Sequence, residues 1–450
     1  MKKIADMTEG AMLKNIILFA IPVILTNILN GLYNTADIII IGKFAGSDAL
    51  AAVGNCTSVI NVSFCLFLGL ALGGGVLVSH GVGAGDDEGV SKTVHTSAVM
   101  SILLGIILMV IGILITPFML KLISTPSNIF EQSKLYLQIF FAGSIPNLLY
   151  SFLAAILRAL GNSKKPLYYL MISCFVKIFL NTIFVAVLKL DILGVGIATV
   201  VAQLVSASLA IYEFMRTKER HRIDIKKLGI NRSVAGRILK LGLPIGITSA
   251  MFDMANLILS SYVNSFDNVY IIAGSTVEVQ LDQYLPFFVN GMVSGILTFA
   301  GQNMGAKKYD RIIKGANKAT VFCGGLVFTL SVCLIIFAKP LMSLFNDDPN
   351  VIEWARRKQM LSISLYLLFA IYECLSAAIK GCGNTRLPMI ISVLSICVSR
   401  ILWLKIMVPV FNTIETVYMA YPVSYVLAAG ATYVVYKFCR RLWLCEERVL

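Results

Sequence analysis

The chain has 450 residues, of which 58% are hydrophobic and only 14% charged, and its mean hydropathy is +0.82. Soluble chains carry about 25% charged residues to coat their surface, so water is excluded as the solvent for most of this one. The net charge of +14 does not require nucleic acid. With the N-terminus in the cytoplasm, most Lys and Arg fall on the cytoplasmic side of the apolar runs, as the positive-inside rule demands.

Residues 97–120 and 319–338 contain no charge at all, and each is long enough to cross a hydrocarbon core of about 30 Å as a helix. A spanning β-barrel would alternate in segments of about 10 residues. Runs such as 102–115 do not alternate, so the fold class is all-α. Twelve spans are predicted in chain order: 16–41, 50–80, 93–117, 133–157, 166–188, 192–214, 238–264, 275–303, 316–338, 356–380, 388–410 and 416–438. The polar stretch 216–237 divides six from six, giving an N-lobe over 1–220 and a C-lobe over 221–450. The first residues lack the cleavage pattern of a signal peptide. The ten cysteines are scattered, mostly in apolar runs, without CxxC or cysteine–histidine clusters. They read as core residues with no disulfide, metal or cofactor role.

In the first span Asn27, Asn30, Asn34 and Asp37 recur every three or four residues and share one helical face. Amides leading to a carboxylate suit a hydrated cavity that binds a cation or proton. The plainer account is a packing network that satisfies Asp37. Pro22 removes a helix hydrogen bond in the same span and is either a hinge or a static kink. The glycine-rich run 81–85 is no phosphate loop, because no strand precedes it and no Lys-Ser or Lys-Thr pair follows. His80 and His95, beside it, read as solvated. In the fifth span Lys177 stands one turn before Asn181. A buried ammonium needs a counter-ion, and Asp37 is the candidate within the N-lobe spans. A Lys177–Asp37 pair is therefore expected, either as a contact that a proton or cationic substrate breaks or as a static brace.

The seventh span carries Ser249, Asp253, Asn256, Ser260 and Asn264 at helical spacing. The eighth has Glu278 and Asp282 one turn apart, the tenth Tyr366 and Glu373, and the eleventh Arg400. Lys177 and Arg400 are the two cations assigned to spans. Four C-lobe carboxylates against one deep arginine leave a surplus of negative charge, suited to taking up a proton or a sodium ion. The alternative is a set of ion pairs with Arg400 that only join helices. The candidate cation-coupling residues are thus Asp37, Asp253, Asp282 and Glu373. The candidate cavity residues are Asn30, Asn34, Lys177, Asn181, Asn256, Glu278, Tyr366 and Arg400. No nucleophile–base arrangement suggests an enzyme.

The halves repeat. A shift of 222 residues brings Pro22 onto Pro244, Thr26 onto Thr248, Gly69 and Gly73 onto Gly291 and Gly295, Gly161-Asn162 onto Gly383-Asn384, and Pro166 onto Pro388. Because six is even, the repeat is parallel, and such proteins place a substrate between two lobes.

Five stretches resemble multidrug and toxin extrusion (MATE) transporters. They are AIPVILTNILNGLYNTADIIIIGKFAG in the first span, GLALGGGVLVSHGVGAGD ending the second, LRALGNSKKP before the fifth, TFAGQNMGAKKYDR after the eighth and IKGCGNTRLP before the eleventh. The resemblance implies two six-helix lobes and export of amphipathic, often cationic, small organic compounds in exchange for H⁺ or Na⁺ by alternating access. It also implies coupling at Asp37, a bending first helix at Pro22, and a sodium ion near Asp253 and Glu373. The fifth span departs from the family pattern: Lys177 and Asn181 stand where many relatives carry an asparagine and then an aspartate. The expectation is a monomeric efflux protein of the cell membrane, multi-pass, with both termini cytoplasmic, no cofactor beyond the coupling ion and no obligate protein partner. The alternative is a flippase for lipid-linked saccharides. A strongly cationic cavity is what that chemistry asks for, and the carboxylate surplus argues against it.

Overall fold

A computed structural model of the chain describes residues 6–123, 125–217, 219 and 221–449. Inside a bilayer each backbone N–H and C=O must be satisfied within its own segment, and the apolar runs accordingly form helices. They are α1 (Met12–Phe44), α2 (Ser47–Ala84), α3 (Asp87–Leu122), α4 (Ser127–Ala142), α5 (Ser144–Ala159), α6 (Lys164–Asn181) and α7 (Asp191–Arg216). After the linker come α8 (Arg232–Asn264), α9 (Val269–Asp282), α10 (Tyr284–Gly305), α11 (Tyr309–Ile336), α12 (Ala338–Met342), α13 (Pro349–Ser364) and α14 (Tyr366–Gly381). The last four are α15 (Arg386–Ser392), α16 (Ser399–Phe411), α17 (Ile414–Tyr418) and α18 (Ala420–Val449). Among the described residues nine helices are long and apolar enough to cross a membrane, and the spans number up to eleven if each of two bent pairs counts as one. The twelfth expected span falls on α17 and α18, where four tyrosines lower the hydropathy of the α18 stretch.

The bent pairs are copies of one another. α4 meets α5 at an angle of 49° and α13 meets α14 at 43°. The 222-residue shift carries Ser127–Ala142 onto Pro349–Ser364 and Ser144–Ala159 onto Tyr366–Gly381. Gly161 and Gly383, also superposed by the shift, have φ of 87° and 91°, which a side chain would oppose. The asparagine after each bonds into the first turn of the next helix: Asn162 Oδ1 accepts from Lys165 N at 3.2 Å and Asn384 Oδ1 from Leu387 N at 3.3 Å. The Gly-Asn pairs are thus turns that launch the fifth and eleventh spans.

Two compact units result. The first contains Leu25–Gly246, and the second contains Met7–Ile24 and Ile247–Leu450. α1 and α8 each contribute to both, and Pro22 and Pro244 lie two residues before the changeover. In the first unit Gly69 and Gly73 of α2 lie against Gly242 and Gly246 of α8. A methyl group on Gly69 would come within 2.2 Å of Gly246 N. In the second unit Gly291 and Gly295 of α10 meet α1 at Ala20, Ile24 and Ile16. Small residues four apart let helix backbones approach closely in membranes, and the two crossings use the same shifted positions.

Polar contacts fix the segments that precede α1 and α8. In the second unit Met7 N donates to Gln302 Oε1 at 3.1 Å, and Asn303 Nδ2 and Arg311 Nη2 donate to Met7 O at 3.1 and 3.3 Å. The motif at 298–311 therefore holds the chain at Met7, ahead of α1. In the first unit His95 is buried, not solvated as its position near a loop suggests. Its Nε2 accepts from Asp224 N at 3.1 Å and its Nδ1 lies 2.8 Å from Ser91 O, so the ring ties the linker down.

Candidate functional site

The first unit brings Asp37 of α1 together with Lys177 and Asn181 of α6. All three are buried. Lys177 Nζ donates to Asp37 Oδ2, and Asn181 Nδ2 donates to Oδ1 at 2.6 Å. The Lys177 ammonium also lies 3.3 Å from the centre of the Tyr33 ring, a cation–π contact. The pair expected from the sequence is present, and both carboxylate oxygens are used. Asn30 and Asn34 are exposed, so the polar stripe is buried only at its Asp37 end. Asn181 Oδ1 is enclosed without a hydrogen-bond partner among the described residues.

The second unit contains a cavity of about 430 Å³. Asn256 of α8, Glu278 and Asp282 of α9, Lys358 of α13 and Tyr366 of α14 all line it, with Phe252, Tyr421 and Tyr425 completing an aromatic wall. Glu278 is paired with Lys358 at 2.7 Å, and Ser362 Oγ donates to its other oxygen at 2.6 Å. Asp282 differs: its Oδ1 is enclosed with no hydrogen-bond partner among the described residues. Arg400, fully buried, donates from Nε to Ser424 Oγ at 3.0 Å and from Nη1 to Asn256 Oδ1 at 2.8 Å. It also faces the Tyr421 ring at 4.7 Å.

These contacts correct the charge balance read from the sequence. Arg400 forms no ion pair with a carboxylate among the described residues, and Lys358 is a second deep cation in the C-terminal half. Lys358 was missed because Arg356, Arg357 and Lys358 run together at the first residues of the predicted span 356–380 and read as its solvated end. Helical phase carries the missing signal. Val351, Ala355, Lys358 and Ser362 are all buried and recur every three or four residues, so Lys358 shares their inward face. The sequence also did not disclose the π-helical turns at Thr182–Val187 and Val393–Val398. The first begins directly after Asn181 and the second ends two residues before Arg400, and such turns favour functional positions.

Asp253 and Glu373 are half-buried and neither is among the residues lining the cavity. Among the described residues no group of three or more His, Cys, Asp or Glu side chains is placed to hold a metal ion.

Apolar helices in number, a duplicated architecture and charges buried inside the spans define a polytopic membrane transport protein. The chain belongs to the MatE family, whose profile matches residues 22–183 and 244–404. It is 26% identical over 439 residues to the "Probable multidrug resistance protein YoeA" of Bacillus subtilis, covering 94% of this chain and 92% of that one. It is 25% identical to the "Probable multidrug resistance protein NorM" of Thermotoga maritima, covering 89% and 86%. In fold it matches a solved structure described as MATE in the bent conformation, with a TM-score of 0.92, 19% identity and 99% of each chain covered.

Proposed function

We propose that this protein is a secondary active exporter of the cell membrane, carrying cationic or amphipathic organic compounds outward in exchange for inward-moving H⁺ or Na⁺. Relatives named for multidrug resistance support the substrate class. The observation that carries the reading is the second unit's cavity, which an aromatic wall shares with Asp282, a carboxylate whose enclosed Oδ1 no described group satisfies. An aromatic cation answers both features at once.

Asp37, Asp253, Asp282 and Glu373 are the coupling groups in this reading. Protonating Asp37 strands the Lys177 ammonium, and losing one partner of a buried pair costs about 3–5 kcal/mol. That is enough to move a two-state equilibrium of a few kcal/mol, with Pro22 as the hinge of alternating access. The protein works as a monomer with both termini cytoplasmic, needs no cofactor beyond the coupling ion and catalyses no covalent step.

Proteoliposomes with ethidium on one side and an imposed pH or sodium gradient test this. Ethidium should move only with a gradient, with measurable counterflow of one cation, and Asp37→Asn or Asp282→Asn should slow it about tenfold, near 1.4 kcal/mol of barrier. Folded protein that moves no ethidium or other organic cation under either gradient overturns the proposal.

A further inference from the structure

Glu278 and Lys358 are both almost fully buried, at 1% and 3% exposure. The ammonium is bonded to Glu278 Oε2 at 2.7 Å and to the Ser275 carbonyl oxygen at 3.2 Å. Ser275 Oγ is in turn 2.7 Å from Tyr418 OH. A carboxylate and a carbonyl oxygen converging on one point are hard-oxygen ligands of the kind that hold a small metal cation. Here the point is filled by the protein's own ammonium.

The fold does not require this pair. The 222-residue shift places Cys56 at the position of Glu278 and Tyr136 at that of Lys358. Both are buried in one apolar cluster of the first unit, and α4 and α13 are equal in length. The same packing thus stands without charge in one unit and with charge in the other. A buried ion pair is seldom a net gain in stability over apolar side chains, so folding alone gives no reason for it. Asp282, one turn further along α9, lines the same cavity, and its enclosed Oδ1 has no hydrogen-bond partner among the described residues.

We propose that Lys358 is a tethered occupant of a monovalent-cation site formed by Glu278 and the Ser275 carbonyl, keeping free alkali ions out of this cavity and leaving Asp282 as its carboxylate for an organic ammonium group. A tethered ammonium competes at high effective concentration, so dissolved sodium does not displace it. The cation-site part stands on geometry alone. The part about Asp282 rests on the transport reading above.

The test uses the purified full-length chain, unfolded thermally in NaCl, in ethylammonium chloride and in N-methylglucamine chloride at equal ionic strength. Lys358→Met should gain a saturable rise in Tm of a few °C with Na⁺ at about a hundredfold the dissociation constant, over and above any sodium response of the native chain. The neutral Glu278→Gln/Lys358→Met double variant should lack this gain, and any ethylammonium response that all three chains share belongs to Asp282. A single variant that responds no more than the double overturns the cation site. So does a sodium response in the native chain that the double variant lacks, a comparison that survives if Lys358→Met alone fails to fold. For the second part, ethidium fluorescence should show binding to Asp282→Asn weakened about tenfold, and unchanged affinity refutes that part. If ethidium binds but is not carried in vesicles, the transport reading falls while both binding results remain.

Discussion

Asp37 accepts one charged and one neutral hydrogen bond in a setting that excludes water, so its partners can be separated experimentally. Lys177→Met leaves a buried carboxylate alone and should lower stability by about 3–5 kcal/mol, read from detergent-solubilised protein in a denaturant series. Asp37→Asn strands the ammonium and should cost a similar amount. The double variant should lose markedly less than the two losses added together, because each single change includes the penalty of an unpaired charge. Additive losses would mean that the two side chains do not depend on one another. The pairing was legible in the sequence because one lysine in an N-lobe span had one carboxylate within reach. The Glu278–Lys358 pair was not, since Lys358 adjoins two arginines and only its helical phase separates it from them. Arg400 was visible as a deep cation, but not its choice of Asn256 and Ser424 over a carboxylate.

Helix crossings follow a simpler rule, because glycine positions differ in what a methyl group would meet. On α2, a Cβ at Gly69 would press on the Gly246 backbone at 2.2 Å, whereas one at Gly54 would meet nothing within 4 Å. Gly69→Ala should therefore destabilise by about 1–3 kcal/mol or more through overpacking. Gly54→Ala, on the same helix, should be neutral or stabilising by up to about 1 kcal/mol. Equal effects in thermal unfolding would show that the α2–α8 crossing is not limited by its backbones. The glycine pattern could be read in advance, because four-residue spacing recurs in both halves. The bends at Gly143 and Leu365 could not. One break has a glycine with Pro146 close behind, while the other has neither glycine nor proline near Leu365. The π-helical turns leave still less trace, since a single extra residue per turn shifts the hydrophobic phase only locally.

At the scale of the molecule, the duplication determines where the chain begins and ends. A repeat with an even number of spans returns the chain to the face on which it started, and the positive-inside rule makes the cytoplasm the proposed side for that face. The compact units were harder to foresee. The obvious division lies at the polar linker, yet Met7–Ile24 packs with the C-terminal helices and α8 as far as Gly246 with the N-terminal ones. A helix of 33 residues is about 50 Å long, so its two ends can take part in different cores. Topology can be measured independently of either account. In a variant freed of its ten native cysteines, single cysteines at Glu9 and Lys226 should resist a membrane-impermeant maleimide in intact cells and react after the membrane is opened. Cysteines at Glu131 and Asp347, all four sites being exposed, should react in intact cells. Labelling of Glu9→Cys and Lys226→Cys on opposite faces would mean an odd number of crossings between them. No parallel duplication with six spans per half could then describe this chain.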